Sequence, residues 1–307
     1  MALLFLHYAP DADIRAIVTG FGNASIDATT RNALHMKERF QLTAPVFRGA
    51  AGPLGNSLLD DYPDFVHGRN GLGDIDIPAV RERPGAQDGA QAIVNIAREN
   101  PGEISIVAIG RMTNVAHALD LCPELPELVA ELVVMGGAFG FNGHRGNVSP
   151  VAEANIAGDP EAADVVFSSG LRATIVGLDV TQETIMDRSF FDDLRRKAGK
   201  AGEFIYDISR YYLDFHAQST GHYACPVHDS SAVAYLLRPE LFTTIDATVR
   251  VVREGIAAGQ TIWGDPRADY STPAWRERPT SRICTSVNSD ALLELYAETL
   301  ALAIDDS

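Results

Sequence analysis

The sequence predicts an α/β fold, a single domain built on a mostly parallel sheet with helices on both faces. Three observations predict it. Short β-branched or apolar runs alternate with longer helical stretches. Glycine and polar residues repeatedly follow the buried runs, as a cleft at the carboxyl edge of such a sheet requires. No Pro/Gly/Ser-rich linker or internal repeat divides the 307 residues, so one domain is expected over 1–307.

Each element can be read in order. Met1-Ala-Leu-Leu-Phe-Leu-His-Tyr8 reads as a helix that turns at Pro10. It lacks a basic flank and is too short for a signal peptide or a membrane span. A doubly wound sheet normally opens on a strand, so this start predicts a helix-first variant or a chain whose first strand is missing. Strands are expected at Ile14–Thr19, Ile104–Ile109, Leu132–Met135, Thr174–Leu178 and Thr248–Val252. Helices are expected at Ser25–Phe40, Gly89–Glu99, Thr113–Leu121, Pro160–Ser168 and Ser189–Phe215. The residues that follow the strands are Gly20 to Asn23, Gly110 to Thr113, Gly136-Gly137 and Asp179.

Composition narrows the partners. Lys plus Arg is 25 and Asp plus Glu is 41, a formal net charge of −16. Such a surface repels phosphate backbones and anionic lipid, which argues against nucleic acid and for a small neutral substrate or a cation. Cys122, Cys225 and Cys284 are few and far apart, with no disulfide or zinc spacing, and a reducing cytoplasm is the simplest expectation. No apolar run reaches the roughly 18 residues that a membrane span needs.

The chemistry-bearing residues lie in four segments. Asn147-Val-Ser-Pro-Val-Ala-Glu153-Ala-Asn155 offers amide and carboxylate groups that both donate to and accept from a polyol such as ribose, although a solvated loop also looks like this. Asp159-Pro160-Glu161 reads as a helix cap with proline in the first turn. Pro226-Val-His228-Asp229 precedes a helical run, so Asp229 is either its cap or a metal-binding carboxylate beside a histidine proton donor. His67-Gly-Arg-Asn-Gly-Leu-Gly73 is a glycine-rich loop that does not open a helix after a strand, so it is a flexible surface loop or a segment that closes over a ligand. His216 and His222 lie shortly before His228 and could line its pocket, whereas His7 and His35 read as surface or packing residues. No Gly-x-Ser-x-Gly elbow and no Gly-x-Gly-x-x-Gly after a strand is present, which argues against an α/β hydrolase or a dinucleotide-binding oxidoreductase.

Taken together and in order, these segments resemble one family. They are Gly22-Asn23, Thr30 to Ala33, His67-Gly68, Leu132 to Gly137, Asn147 to Asn155, Asp159 to Ala163, Val176 to Thr181, His228-Asp229 and Gly255 to Thr261. The chain is similar to the inosine–uridine-preferring nucleoside hydrolases over essentially its whole length. The resemblance implies the nucleoside hydrolase fold, a Rossmann-like single domain, and hydrolysis of a ribonucleoside to ribose and free base. It implies a Ca²⁺ ion bound through Asp229 and the Ile109 carbonyl, a ribose held by Asn147, Glu153 and Asn155, Asn23 at the cleft mouth and Met135 beneath the sugar. His228 would face the leaving base as the catalytic residue, and His67 would sit on a loop beside it. A homodimer or homotetramer is implied as well.

Three departures from the family pattern qualify these expectations. Ala154 stands where an aromatic is common, and the loop 136–146 looks long. The family's Asp-x-Asp-x-Gly-x-Asp-Asp motif, which follows its first strand, would end just upstream of Met1. The alternative expectation is therefore a non-catalytic nucleoside- or ribose-binding protein of the same fold. Without that strand the chain is also expected to express poorly or aggregate, which a sharp thermal transition would contradict.

Overall fold

Period-two alternation along one strand shows how the molecule is layered. The computed structural model describes residues 1–55, 62–276 and 278–306. In the strand Val129–Met135, Val133 and Met135 enter one apolar core while Leu132 and Val134 enter another. Successive side chains of a strand point to opposite faces, so the sheet is covered on both sides.

The elements follow in chain order. Helix α1 (Ala2–Tyr8) leads through β1 (Ile17–Thr19) to α2 (Ile26–Phe40), β2 (Val46–Arg48), the short α3 (Asp64–His67) and α4 (Gly89–Glu99). Then come β3 (Ile104–Ala108), α5 (Thr113–Leu121), α6 (Leu125–Leu128), β4 (Val129–Met135), α7 (Ala154–Gly158), α8 (Pro160–Phe167) and β5 (Ala173–Val176). The last part holds α9 (Leu178–Thr181), β6 (Ile185–Asp187), α10 (Arg188–Lys197), α11 (Gly199–Thr220), β7 (Ala224–Pro226) and α12 (Asp229–Leu237). It closes with β8 (Phe242–Val251), β9 (Thr261–Gly264), β10 (Ser281–Val287) and α13 (Ser289–Ala301).

The main sheet has six strands in the order β3-β4-β5-β10-β8-β9. The β3–β4, β4–β5 and β5–β10 pairs are parallel; the β10–β8 and β8–β9 pairs are antiparallel. The sheet is therefore mixed, its parallel part being the half that carries the predicted site. β1 and β2 form a separate parallel pair, and β3, half-buried at every residue, is the edge of the six-stranded sheet. The chain opens on a helix, as expected, and Leu4 and Phe5 of α1 are fully buried in the first core.

Local chemistry explains the boundaries. Ser25 caps α2, Asp88 caps α4 and Asp159 caps α8, each accepting a backbone N–H of the first turn. The expected single helix Ser189–Phe215 is two helices, α10 and α11. Gly199 takes φ +49 at the break, a conformation that glycine adopts without the Cβ penalty. No helix among the described residues is long and apolar enough to cross a membrane.

Candidate functional site

Three parallel strands deliver the site to one edge of the sheet. Ala108 pairs with Val134 and Met135 with Val176, so Ile109, Gly136 and Gly177 emerge side by side. Helix α12 packs over β4 and starts at Asp229, above this edge.

The sugar side is built around Glu153. It is 2% exposed and is the cap of α7. Oε1 accepts the Asn155 N–H at 2.9 Å, and Oε2 accepts those of Gly137 at 3.1 Å and Ile156 at 3.2 Å. Three of the roughly four lone-pair positions of a carboxylate are thus in use. Burial still pushes its carboxyl up to about 7, against these bonds and with the Asp229 charge adding to the rise. Gly137, at φ +85, turns the chain so that its N–H reaches this carboxylate. The Asn155 amide donates to the Met135 carbonyl at 3.1 Å and touches its sulfur at 3.3 Å, while Asn147 accepts the Ala154 N–H at 3.0 Å. The Asn155 oxygen and the Asn147 nitrogen have no hydrogen-bond partner among the described residues.

The base side is made of rings. His67 stacks on Tyr212 at 5.4 Å and 16°, and His216 meets Tyr212 edge-on at 4.5 Å. The buried His216 Nε2 has no hydrogen-bond partner among the described residues. His228 Nδ1 lies 2.7 Å from the hydroxyl of Thr181, the last residue of α9. His67 and His216 meet through Tyr212, and the charges of both act on His228. Burial lowers His228 to about 4, with His216 and then His67 adding to the shift. The same cause, helped by His216, lowers His67 to about 4. His228, the expected proton donor, is shifted by burial and by two nearby imidazoles toward its neutral form.

Asp229 is the first residue of α12, whose N-cap residue is His228. Burial pushes its carboxyl up to about 6, opposed by the Met1 amino group. His228 and Asp229 both keep some solvent-accessible surface. The glycine-rich loop is organised around Asn70. The Asn70 oxygen accepts from Leu72 and Asp74, its amide donates to Ile75, and its carbonyl accepts from Asn32. These bonds tie the loop to itself and, through Asn32, to α2.

Met135, Asn147, Glu153 and Asn155 thus come together through hydrogen bonds, and the Asp229 charge acts on Glu153, while His67 and His228 belong to the second group. Asn23 stands apart on an exposed turn, tied to the site only through its neighbour Gly22, whose carbonyl accepts from Arg111. Ile109 extends β3 level with Met135. No individual role was legible in the sequence for Thr181, Tyr212 or Arg111. Arg111 lies over the Phe21 ring at 4.4 Å and against Gly158, and so links the Asn23 turn to α7.

A calcium ion takes about 6–8 oxygen ligands. No group of three or more His, Cys, Asp or Glu side chains among the described residues is placed to hold a metal. Asp229 supplies one carboxylate and Ile109 one carbonyl, and Glu153 is largely occupied by backbone donors. This donor set does not fit a calcium ion.

Residues 1–294 match the family described as inosine-uridine preferring nucleoside hydrolase. A probable uridine nucleosidase 2 of Arabidopsis thaliana is 35% identical over 302 residues, covering 98% of this chain and 93% of that protein. A pyrimidine-specific ribonucleoside hydrolase of Enterobacter sp. (strain 638) is 33% identical over 304 residues, covering 98% of this chain and 93% of its own. The solved structure of a plant nucleoside hydrolase superposes with a TM-score of 0.93 at 32% identity, covering 98% of this chain and 94% of its own.

Proposed function

The chain belongs to the inosine-uridine preferring nucleoside hydrolase family, and on that premise we propose that it hydrolyses the N-glycosidic bond of pyrimidine ribonucleosides, uridine first, to ribose and free base. The observation that carries this reading is a pair of side-chain groups beside the parallel strand ends. One offers amide and carboxylate groups at a strand edge, and the other offers stacked rings with an unused ring nitrogen. The uridine and pyrimidine preferences belong to the two relatives and support the choice of base.

Each residue has a role in this reading. The free oxygen of Asn155, the free nitrogen of Asn147 and the remaining lone pair of Glu153 bind the ribose hydroxyls, with Met135 beneath the sugar and Asn23 at the cleft mouth. Tyr212 and His67 form a flat wall for the base. His228 holds a ring N–H toward the base as it departs and gathers negative charge, a role for a preorganised hydrogen bond rather than a charged acid. Water attacks C1′ as the bond to the base breaks, and the departing base takes up a proton from the solvent.

Incubating the full chain with uridine, cytidine and inosine, with calcium or with chelator, and measuring free base by chromatography tests the reading. Uridine should release uracil fastest, and loss of release in chelator would support the calcium dependence that the resemblance implies. Binding of uridine without release would favour the second reading, a nucleoside-binding protein, which the small donor set around Asp229 supports. Neither binding nor release would sink both. A homodimer or homotetramer is part of the proposal, and light scattering of the full chain tests it.

A further inference from the structure

Thr181 and His228 are 47 residues apart in sequence and meet at 2.7 Å, hydroxyl oxygen to Nδ1. Thr181 is fully buried. Its backbone N–H donates to Gly177 at 3.1 Å, and its neighbour Asp179 accepts the N–H groups of Phe139 and Phe141, so α9 is anchored independently of the histidine. A buried hydroxyl needs an acceptor for its proton. Among the described residues, Nδ1 of His228 is the hydrogen-bond partner that the Thr181 hydroxyl has. If the hydroxyl donates, Nδ1 is the lone-pair nitrogen and the ring proton must sit on Nε2.

We propose that Thr181 is a positioning residue that fixes His228 as the Nε2–H tautomer, so that the ring presents a donor rather than a lone pair to the leaving base. The functional half of this inference rests on the nucleoside-hydrolase reading; the tautomer does not. A departing base accumulates electron density, which an N–H stabilises and a nitrogen lone pair repels. Threonine suits the position because its methyl fills the buried space while its hydroxyl does the steering. Valine would keep the shape and leave Nδ1 without its donor.

The test has two arms. The full chain, labelled with ¹⁵N-histidine, is studied at pH 8 by long-range ¹H–¹⁵N spectroscopy, with the His228→Gln spectrum identifying the signals. A protonated Nε2 and a bare Nδ1 on His228 are expected; a protonated Nδ1 overturns the proposal. The second arm compares Thr181→Val with Thr181→Ser in uracil release from uridine. Valine should lower kcat about tenfold or more with KM changed less than about threefold, and serine should restore kcat to within about threefold of the parent. If valine leaves kcat unchanged, or if serine fails to rescue it, the positioning role is refuted. A parent chain that shows the Nε2–H tautomer but neither releases uracil nor binds uridine would instead refute the hydrolase reading and, with it, the functional half of this proposal.

Discussion

The two sides of the cleft are built on opposite plans. On the sugar side, the key side chains are engaged by their own backbone: Glu153 accepts three N–H groups, and Asn147 and Asn155 each make one bond to the main chain. On the base side, Tyr212, His67 and His216 touch as rings, His228 meets the Thr181 hydroxyl, and one ring nitrogen has no partner among the described residues. Hydrogen bonds to backbone make the first side part of the fold. Ring contacts leave the second side free to engage a ligand. Substitutions should therefore cost stability on one side and chemistry on the other.

The largest expected effect is on chemistry. His228→Gln should lower uracil release about 10²–10³-fold, the usual cost of removing one transition-state donor, while the unfolding midpoint barely moves. Next comes stability. Glu153→Ala removes a helix cap and strands buried N–H groups, so denaturant unfolding should show a loss of about 3 kcal/mol, and Glu153→Gln, which keeps one acceptor oxygen, should lose less. A Glu153→Ala variant of parental stability would break the contrast between the two sides.

Acid should separate the sides as well. His67 titrates near 4 in the fold and near 6.5 when unfolded, so the unfolded chain binds the extra proton. The stability this histidine contributes is fully present above about pH 6.5 and is lost as the pH falls toward about 4. Glu153 runs the other way, because its raised carboxyl favours the fold at low pH and loses that advantage as the pH rises from about 4.5 to 7. His67→Phe keeps a ring against Tyr212 and removes the first dependence. Measured against the parent, it should gain about 1–2 kcal/mol between pH 6.5 and 4, a figure reduced for the solvent that still reaches the ring. A flat difference across that range would contradict the shift.

How much of this was legible in the sequence depends on how far each signal reaches along the chain. Gly89–Glu99 and Thr113–Leu121 are helices with the expected bounds because apolar periodicity is local, and Asp88 marks the start of the first. The family resemblance was legible because its segments are contiguous. β10, Ser281–Val287, was missed, since Arg282 and Ser286 interrupt its apolar run and its place between β5 and β8 is set by residues more than thirty positions away. The sequence named Glu153 without showing that its oxygens would be turned onto Gly137, Asn155 and Ile156. Tyr212 sits at helical spacing among apolar residues and looks like packing. Only folding shows that α11 lays it on His67.

The smallest effect tests the division most finely. Tyr212 touches His67 face to face and His216 edge-on, and aromatic pairs contribute about 0.5–1.5 kcal/mol each beyond their buried area. Tyr212→Leu keeps apolar bulk on α11 but removes the flat wall. Uridine affinity, read by calorimetry, should fall about fivefold, equivalent to about 1 kcal/mol. Free ribose, which meets only the other side, should bind as it does to the parent. An equal loss for ribose would mean that the ring wall props up Asn155 and Glu153 across the cleft. The two sides would then be one mechanical unit, and the contrast between saturated and unsaturated halves would describe hydrogen bonding without predicting function.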